Sequence, residues 1–342
     1  MLALFKKGFK PASAGDESMP AALALFRKRF MPAGAGGGST PAVLALLGLM
    51  ILSVSRRCDI PRFAFDWFLE RLDAGFVEVS NPFNLTQKKR VSLLPPGSSG
   101  GETVDLIAFW TRDPASILEH ADDLTERGYR FYVMTTLNSY PALLEPNVPS
   151  RETVVQTMRN LAQKISGSGS RTDRVIWRYD PIFLSSLTDF EFHKRNFSGL
   201  AVQLGGTVRR VIVSVYDEYS KAEKRLSRLE QSGSLKRQPH YESAVPGSKV
   251  LSAPVRDLLA ELARIAGREG MEIQSCAEED LSGCGIKSGA CIGADYIESV
   301  FDIKAPGKDR GQKRPHCLCV QSVDIGNYGN CPAGCVYCYA SS

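Results

Sequence analysis

The chain has 342 residues, of which 43% are hydrophobic, and this is enough to bury one large core or two smaller ones. Its formal net charge is +5, but residues 1–49 carry six basic and two acidic side chains, so residues 50–342 are nearly neutral. A nearly neutral body argues against a broad nucleic-acid surface. No apolar run in the sequence reaches the roughly 18 residues that a membrane-spanning helix needs.

The first 49 residues contain a short repeat. The segment Leu2–Gly15 recurs as Leu23–Gly36, and each copy joins an apolar and basic stretch to a linker rich in Pro, Ala, Gly and Ser. Two short copies are too few for a stable repeat fold, whereas this composition is typical of a flexible tether. We therefore predict a flexible basic extension at 1–49 and a single domain at 50–342. A pair of docking peptides that folds on a partner is the alternative for the extension.

From Met50 onward, short β-rich runs alternate with longer segments that have the hydrophobic period of helices. The predicted strands are Met50–Ser55, Phe76–Val79, Leu106–Trp110, Phe131–Thr135, Arg174–Tyr179, Val211–Val215, Glu272–Cys276 and Gln321–Ile325. The predicted helices are Phe65–Asp73, Pro114–Arg127, Arg151–Ile165, Glu191–Leu204, Ser220–Glu230 and Val255–Ala266. This alternation predicts the α/β class, and eight strands favour a (β/α)8 TIM-barrel-like fold over an open parallel sheet.

Ionisable side chains follow the predicted strands, where a barrel of this kind carries its functional groups. Guanidinium groups bind carboxylates and phosphates through paired hydrogen bonds, so we predict these cofactor-binding residues: Arg56, Arg57, Arg112 and Asp324. The candidate catalytic residues are Cys276, Glu278, Arg178 and Asp180. In the alternative, the arginines pair with neighbouring carboxylates and only stabilise the rim.

Three cysteines follow the last predicted strand with the spacing C-x-x-x-C-x-x-C, namely Cys331, Cys335 and Cys338. Three thiolates at this spacing can ligate three irons of a 4Fe–4S cluster and leave the fourth iron open. An open iron is where S-adenosylmethionine binds, and the aromatic Tyr337 beside the last cysteine is similar to the motif of radical S-adenosylmethionine enzymes. In a barrel the last strand lies beside the first, so this loop reaches the same rim.

Two further cysteines, Cys317 and Cys319, precede the last predicted strand as a C-x-C pair. They are candidate metal ligands, either for the same cluster, which would then be fully ligated, or for a second metal. Zinc is the alternative metal, since a closed tetrahedral site needs only one ligand more than the terminal loop supplies. A looser group of Cys276, Cys284 and Cys291 lies earlier, and Cys276 is a candidate hydrogen donor.

Several motifs occur together in an order that resembles an uncharacterised bacterial family, the domain of unknown function eighteen forty-eight. They include Ser53-Val-Ser-Arg-Arg-Cys-Asp-Ile-Pro61, Asn81-Pro-Phe-Asn84, Phe109-Trp-Thr-Arg-Asp-Pro114, Val175-Ile-Trp-Arg-Tyr-Asp-Pro181, Ser275-Cys-Ala-Glu278 and Ser322-Val-Asp-Ile-Gly326. The resemblance covers Met50 to Ala340. Members usually have Thr where this chain has Cys58, and Gly where it has Leu318. The resemblance implies a cytoplasmic iron–sulfur protein and supplies no reaction.

The sequence therefore predicts an iron–sulfur enzyme whose cofactors are a 4Fe–4S cluster and S-adenosylmethionine. Its expected partners are this small-molecule cosubstrate, an unidentified substrate and an electron donor such as a flavodoxin or ferredoxin. We expect neither a membrane span nor a nucleic-acid partner. The alternative is a metal-binding or redox-sensing protein with a fully ligated cluster or a zinc site.

Overall fold

One eight-stranded sheet, in which all neighbouring strands run parallel, organises the fold. The computed structural model describes residues 49–81, 84–99, 101–166, 173–242, 250–309, 314, 316–329 and 331–341. The strands are β1 (Met50–Val54), β2 (Phe76–Asn81), β3 (Asn84–Ser92), β4 (Val104–Thr111), β5 (Phe131–Thr136), β6 (Val175–Ile182), β7 (Arg210–Val215), β8 (Tyr241–Glu242), β9 (Val250–Leu251), β10 (Glu272–Cys276), β11 (Lys287–Gly289) and β12 (Val323–Asp324). The helices are α1 (Ile60–Phe63), α2 (Phe65–Ala74), α3 (Ala115–Glu119), α4 (Ala121–Glu126), α5 (Arg151–Ile165), α6 (Phe190–Leu204), α7 (Ser220–Gln231), α8 (Ala253–Arg268) and α9 (Ala294–Phe301).

The order of strands in the large sheet is β11-β10-β7-β6-β5-β4-β1-β12. The sheet is thus wound in one direction, and its last strand returns to the side of its first. Leu52 of β1 pairs with Val323 of β12, and Ser53 pairs with Asp324. The loops that follow β1 and β12 therefore emerge side by side at the carboxyl edge.

Seven of the eight predicted strands lie in this sheet, but the prediction for Phe76–Val79 as a sheet strand was wrong. That segment forms β2 of an antiparallel hairpin with β3. Its alternation of buried Val77 with exposed Glu78 is typical of a hairpin with one solvent-exposed face. The strand of the large sheet that had not been predicted is β11, which is only three residues long and contains no hydrophobic residue.

The predicted helices correspond to observed ones, and α5 has the predicted bounds, with Ser150 capping it by accepting from the backbone N–H of Thr153 at 3.2 Å. The prediction of one helix at Pro114–Arg127 was wrong, because the chain breaks at His120 into α3 and α4. Two short helices, α1 and α9, had not been predicted.

One face of the sheet packs against the surrounding helices and builds the larger core. The Trp177 ring of β6 stacks on Phe197 of α6 with ring centroids 4.7 Å apart. Phe109 of β4 meets Phe68 of α2 edge-on at 5.7 Å. All four side chains are fully buried, and burying a ring of this kind stabilises the fold by about 2–3 kcal/mol.

The other face forms a separate core from side chains of consecutive strands, namely Ile51, Leu106, Ala108, Tyr132, Met134, Ile176 and Ile212. Helix α9 adds Tyr296 and Ile297 to this core. Beyond the ends of the sheet, Val320 donates its N–H to the carbonyl of Ile292 at 2.9 Å. Within the described residues no strand pairing joins β11 to β12. The α/β class with eight parallel strands is therefore confirmed, whereas barrel closure through hydrogen-bonded strands is not part of the described pairing.

The predicted extension at 1–49 lies outside the described residues apart from Leu49. The described residues belong to a unit that spans Leu47–Ser342. Among the helices that the structure describes, none combines the length and apolar character that crossing a bilayer requires.

Candidate functional site

The terminal loop with Cys331, Cys335 and Cys338 follows β12 and folds back onto the body of the protein. The N–H of Val336 donates to the carbonyl of Leu144 at 3.0 Å, and the N–H of Cys338 donates to the carbonyl of Cys335 at 3.1 Å. Cys335 is buried and the other two cysteines are half-buried. The three thiols lie close enough to interact electrostatically. The loop thus brings its three cysteines to one side of the body.

Gly334 gives this loop its turn. Its φ of +68° lies in the left-handed region, which residues with a Cβ rarely adopt. A Cβ at this position would also come within 3.4 Å of Pro146. The glycine is therefore required by the backbone between Cys331 and Cys335.

Arg225 of α7 holds the backbone of the loop. Its guanidinium group donates to the carbonyls of Val336 at 3.0 Å and Ser341 at 3.3 Å, and also to the carbonyl of Cys338. One planar fork with several donors can satisfy such a set of carbonyls, which a lysine cannot do. The sequence carried no signal for Arg225, since its helix is far from the loop along the chain.

Tyr337 anchors the loop in a buried polar network. Its ring stacks on Phe183 at 6.0 Å, and its hydroxyl donates to Glu145 while accepting from Arg112 Nη2 at 2.6 Å. Arg112 also donates to Glu145 through Nη1 at 2.7 Å. Asn138 completes the network by donating to the tyrosine hydroxyl at 3.1 Å. The predicted site residue Arg112 thus lies beside the cysteine loop, and its carboxylate partner, Glu145, had not been predicted.

The charge of Arg112 acts on the thiols. Burial raises the pKa of the Cys335 thiol to about 12, while the nearby Arg112 guanidinium lowers it. Metal ligation removes the thiol proton and leaves a negative charge, so a buried cation beside Cys335 favours the ligated form over the free thiol.

Asp324, at the end of β12, joins the loop after β1 to the last strand. Its carboxylate accepts from the Ser53 and Ser55 hydroxyls at 2.7 Å each and from the backbone N–H of Arg56 at 2.8 Å. The side chains of Arg56 and Arg57 lie within 3.5 and 3.8 Å of the same group. A Cβ on Gly326 would collide with the Ser55 side chain. These predicted cofactor-binding residues are brought together, and in the structure they bind one another.

Four other cysteines form a second group in the smaller core. Cys276 ends β10, Cys291 follows β11, and Cys317 and Cys319 precede β12; all four are buried. The sulfurs of Cys276 and Cys291 are 3.0 Å apart, and the Cys319 thiol hydrogen-bonds those of Cys291 and Cys317. Cys284 lies outside this group, in a 3-10 turn at Ser282–Cys284 that packs on the larger core.

Arg178 and Asp180 lie beside this second group. The Arg178 Nη1 donates to the sulfur of Cys291 at 3.0 Å, and Nη2 pairs with Asp180, which also accepts from Ser214. The guanidinium group lies 4.6 Å from the centre of the Trp110 ring. Two buried donors here, Arg178 Nε and Trp110 Nε1, have no hydrogen-bond partner within the described residues. Buried donors of this kind are usually satisfied in proteins, by ordered water or by a ligand, so these two atoms mark a position where a polar group could be bound.

Glu278 lies two residues after β10 and faces β7. Its carboxylate accepts from the backbone N–H of Val215 at 2.9 Å. Burial, with the charge of Asp217, raises the pKa of Glu278 to about 8. Of the predicted catalytic residues, Cys276 ends β10 and Glu278 follows it, whereas Arg178 and Asp180 lie within β6, which is separated from β10 by β7.

Tyr339 connects the region of the terminal loop with that of the second group. Its hydroxyl donates to the carbonyl of Arg56 at 2.9 Å. The residue is 36% exposed; the pKa of its phenol is raised by desolvation of the hydroxyl and by Cys338, while Arg178 opposes the shift. Residues beside each of the two groups of cysteines therefore influence the pKa of the same phenol.

The donor sets fit thiolate-bound metals, although their present arrangement is that of free thiols. Across the part of the chain that the structure describes, no three His, Cys, Asp or Glu side chains are already arranged as a metal site. Thiols without a metal donate to neighbouring groups, and ligation requires loss of the proton and reorientation of the sulfur. Three cysteines on one loop supply the three protein ligands that a 4Fe–4S cluster with one open iron uses.

The fold and the site define an α/β protein with two cysteine groups at the carboxyl edge of a parallel sheet. The chain belongs to the family described as Domain of unknown function (DUF1848), whose model matches residues 51–340. No curated protein matches the chain.

The chain is similar to two solved structures of the pneumococcal exo-β-D-N-acetylglucosaminidase StrH. One is titled for differential inhibition of its tandem GH20 catalytic modules; it has 8% identity and a TM-score of 0.23, and the match covers 67% of this chain and 53% of that one. The other concerns StrH inhibition and N-glycan recognition, with 9% identity, a TM-score of 0.24, and 72% and 58% coverage. The chain thus spans little more than half of each, and TM-scores this low carry no argument about fold or activity.

Proposed function

We propose that the protein is an iron–sulfur enzyme that binds S-adenosylmethionine at the open iron of a 4Fe–4S cluster and uses it for radical chemistry on an unidentified substrate. The observation that carries the proposal is the loop of Cys331, Cys335 and Cys338, whose thiols lie together beside the carboxyl ends of β1 and β12. This edge is where parallel α/β folds carry their sites.

The chain's own residues would hold the loop and offset its charge. When bound, the cluster supplies the electron that cleaves a carbon–sulfur bond of S-adenosylmethionine. Arg225 fixes the loop carbonyls, and Tyr337 ties the loop to Glu145 and Arg112. The Arg112 cation lies near Cys335, so it favours a negatively charged set of ligands over protonated thiols.

Neighbouring groups offer contacts for the cosubstrate and substrate. S-adenosylmethionine carries a carboxylate and an adenine ring, which arginine and aromatic side chains recognise. Arg178 and Trp110 lie next to each other, and each has a buried donor without a partner in the described structure. Asp180 orients Arg178 through their ion pair. We assign binding and orientation of the cosubstrate to these side chains.

The first test is the iron and acid-labile sulfide content of protein purified without oxygen. We expect about four irons and four sulfides per chain, and loss of both from each of the variants Cys331→Ala, Cys335→Ala and Cys338→Ala. Cys284→Ala is the matched control, because Cys284 packs on the larger core away from the loop. One zinc per chain without sulfide would exclude the cluster.

The second test is cleavage of S-adenosylmethionine by dithionite-reduced, cluster-loaded protein. We expect 5′-deoxyadenosine and methionine in the wild type, and strongly reduced product in Arg178→Gln, which removes the charge beside Trp110. A fully loaded protein that forms no 5′-deoxyadenosine would reject radical chemistry even if the cluster is present.

One observation favours the second candidate function, a redox-sensing protein with a fully ligated metal. Cys58 follows β1 and lies close enough to Cys331 to feel its charge, and burial raises the pKa of Cys58 to about 12. If Cys58 ligates the cluster, no iron is open for a cosubstrate. Cys58→Thr separates the candidates: unchanged spectra support the enzyme, and a gained response to S-adenosylmethionine supports the fully ligated cluster.

We further infer that the sheet closes into the (β/α)8 barrel that the sequence predicts. Support comes from the core on one face, to which consecutive strands contribute, and from the bond between Val320 and Ile292 near the two edge strands. A cytoplasmic location and reduction by a flavodoxin or ferredoxin follow from the proposed cluster, since oxidising compartments favour disulfides over free thiols.

A further inference from the structure

Four cysteines from distant parts of the chain gather at one place in the smaller core. Cys276 and Cys291 come from β10 and the loop after β11, and Cys317 and Cys319 come from the segment before β12. Besides the contacts between neighbouring sulfurs, Cys276 interacts electrostatically with both Cys319 and Cys317. The four thiols therefore form one connected group, in the order Cys276, Cys291, Cys319, Cys317.

Packing alone does not account for this group. A free buried cysteine behaves as a small apolar side chain with a weak donor, and it packs as well against a methyl group as against another thiol. Here each of the four thiols hydrogen-bonds at least one other. Four sulfurs in one connected group supply the donor set of a tetrahedral thiolate site.

The surrounding charges suit such a site. A divalent ion with four thiolates carries a net charge of about −2. Arg178 donates to the Cys291 sulfur at 3.0 Å, and Arg56 lies near enough to interact with Cys319 and Cys291. Both guanidinium groups flank the Trp110 ring, at 4.6 and 5.8 Å from its centre. One buried and one half-buried cation, each also beside a carboxylate, thus offset part of the charge that metal binding would leave, which reduces the cost of burying it.

The spacing of the sulfurs favours one ion over a cluster. Zinc–sulfur bonds of about 2.3 Å in a tetrahedron place ligand sulfurs about 3.8 Å apart. The Cys276 and Cys291 sulfurs at 3.0 Å lie somewhat closer than this. A cubane holds its cysteines farther apart, because irons and sulfides lie between them. The three terminal thiols, by contrast, influence one another through their charges.

We propose that Cys276, Cys291, Cys317 and Cys319 bind a single divalent metal ion of the zinc class at a closed tetrathiolate site. The ion joins the end of β10, the loop after β11 and the segment before β12. These elements flank the two edges of the sheet, between which the described residues form no strand pairing. The metal therefore adds to the backbone bond from Val320 to Ile292 in holding these two segments together. The site is separate from the terminal loop. Because Cys317 and Cys319 both ligate this ion, neither is available to the cluster.

The experiment measures metal in the full chain after the terminal loop has been disabled. The triple variant Cys331→Ala, Cys335→Ala, Cys338→Ala should retain about one zinc per chain and no sulfide. Adding Cys276→Ser and Cys291→Ser should remove that zinc, whereas adding Cys284→Ala should not. The proposal is overturned if the triple variant binds no metal, if it holds iron and sulfide, or if it contains a Cys276–Cys291 disulfide after purification under reducing conditions.

A second measurement keeps the proposal testable if the variants with further cysteine substitutions do not fold. Cobalt(II) added to the metal-free triple variant should give intense visible bands of a tetrahedral tetrathiolate complex, and one equivalent of zinc should abolish them. A weak spectrum of a water-coordinated ion would contradict the proposal. Wild-type protein with zinc but no iron–sulfur cluster would refute only the proposed function, whereas a cluster without zinc would refute only this second site.

Discussion

The hydroxyl of Tyr337 offers a direct test of how the terminal loop is held. The substitution Tyr337→Phe keeps the ring against Phe183 but removes an oxygen that donates to Glu145 and accepts from Arg112 and Asn138. Hydrogen bonds to charged groups each contribute about 1.5–3 kcal/mol. Because Arg112 and Glu145 still pair with each other, we expect the variant to lose about 2 kcal/mol in total.

For a domain of this size, such a loss lowers the midpoint of thermal unfolding by about 4 °C. The measurement is circular dichroism on metal-free protein, so that cluster occupancy does not enter the comparison. Tyr328→Phe is the matched control, because that ring is 47% exposed, and its midpoint should change by less than about 1 °C. If Tyr337→Phe unfolds at the wild-type temperature, the network does not stabilise the loop and the reasoning fails.

Three further predictions concern other parts of the molecule. Arg225→Lys should speed amide exchange in residues 335–340, measured by mass spectrometry, since lysine cannot serve the same carbonyls; an unchanged rate would contradict this role. Asp324→Asn should destabilise the protein by about 3 kcal/mol in urea unfolding, because its carboxylate accepts from several donors at once; a change below about 0.5 kcal/mol would show that these bonds are dispensable. Burial lowers the pKa of His193 and of His240 to about 4, so their neutral forms stabilise the fold fully above about pH 6.5 and this contribution, about 3 kcal/mol each, is lost as the pH falls towards 4. The double variant His193→Gln, His240→Gln should flatten the fall of the thermal midpoint between pH 6.5 and 4.5, and a slope equal to that of the wild type would refute the assignment.

The regular parts of the fold could be predicted because they repeat a physical pattern. Helix α5 combines apolar positions at helical spacing with the cap Ser150, and both signals are local. Buried parallel strands such as β7 read as continuous apolar runs. Strand β11 could not be predicted in the same way, because its three residues are half-buried or exposed and its place in the sheet comes from pairing with β10.

The candidate site was predictable only where its residues are close in sequence. Cys331, Cys335 and Cys338 are linked by spacing, Arg112 was indicated by its position directly after a strand, and Arg178 by its position near the end of one. Glu145 and Arg225 reach the loop through tertiary contacts, so no local pattern indicates them. The gathering of Cys276 and Cys291 with Cys317 and Cys319 likewise depends on tertiary contacts between segments that are distant in sequence. Arg56 and Asp324 were predicted to bind a cofactor, and the structure gives them a mutual contact as well.

The pairing of β12 with β1 has a consequence for the timing of events during protein synthesis. The bond between Ser53 and Asp324 joins residues 271 positions apart, so it forms only after the whole segment between them has been synthesised. Cys317 and Cys319, and the three cysteines of the terminal loop, emerge at that same late stage. A nascent chain therefore never displays a complete set of thiols while its sheet is unfinished. In the proposed function, the set of metal ligands is therefore completed at the same stage as the sheet that carries it.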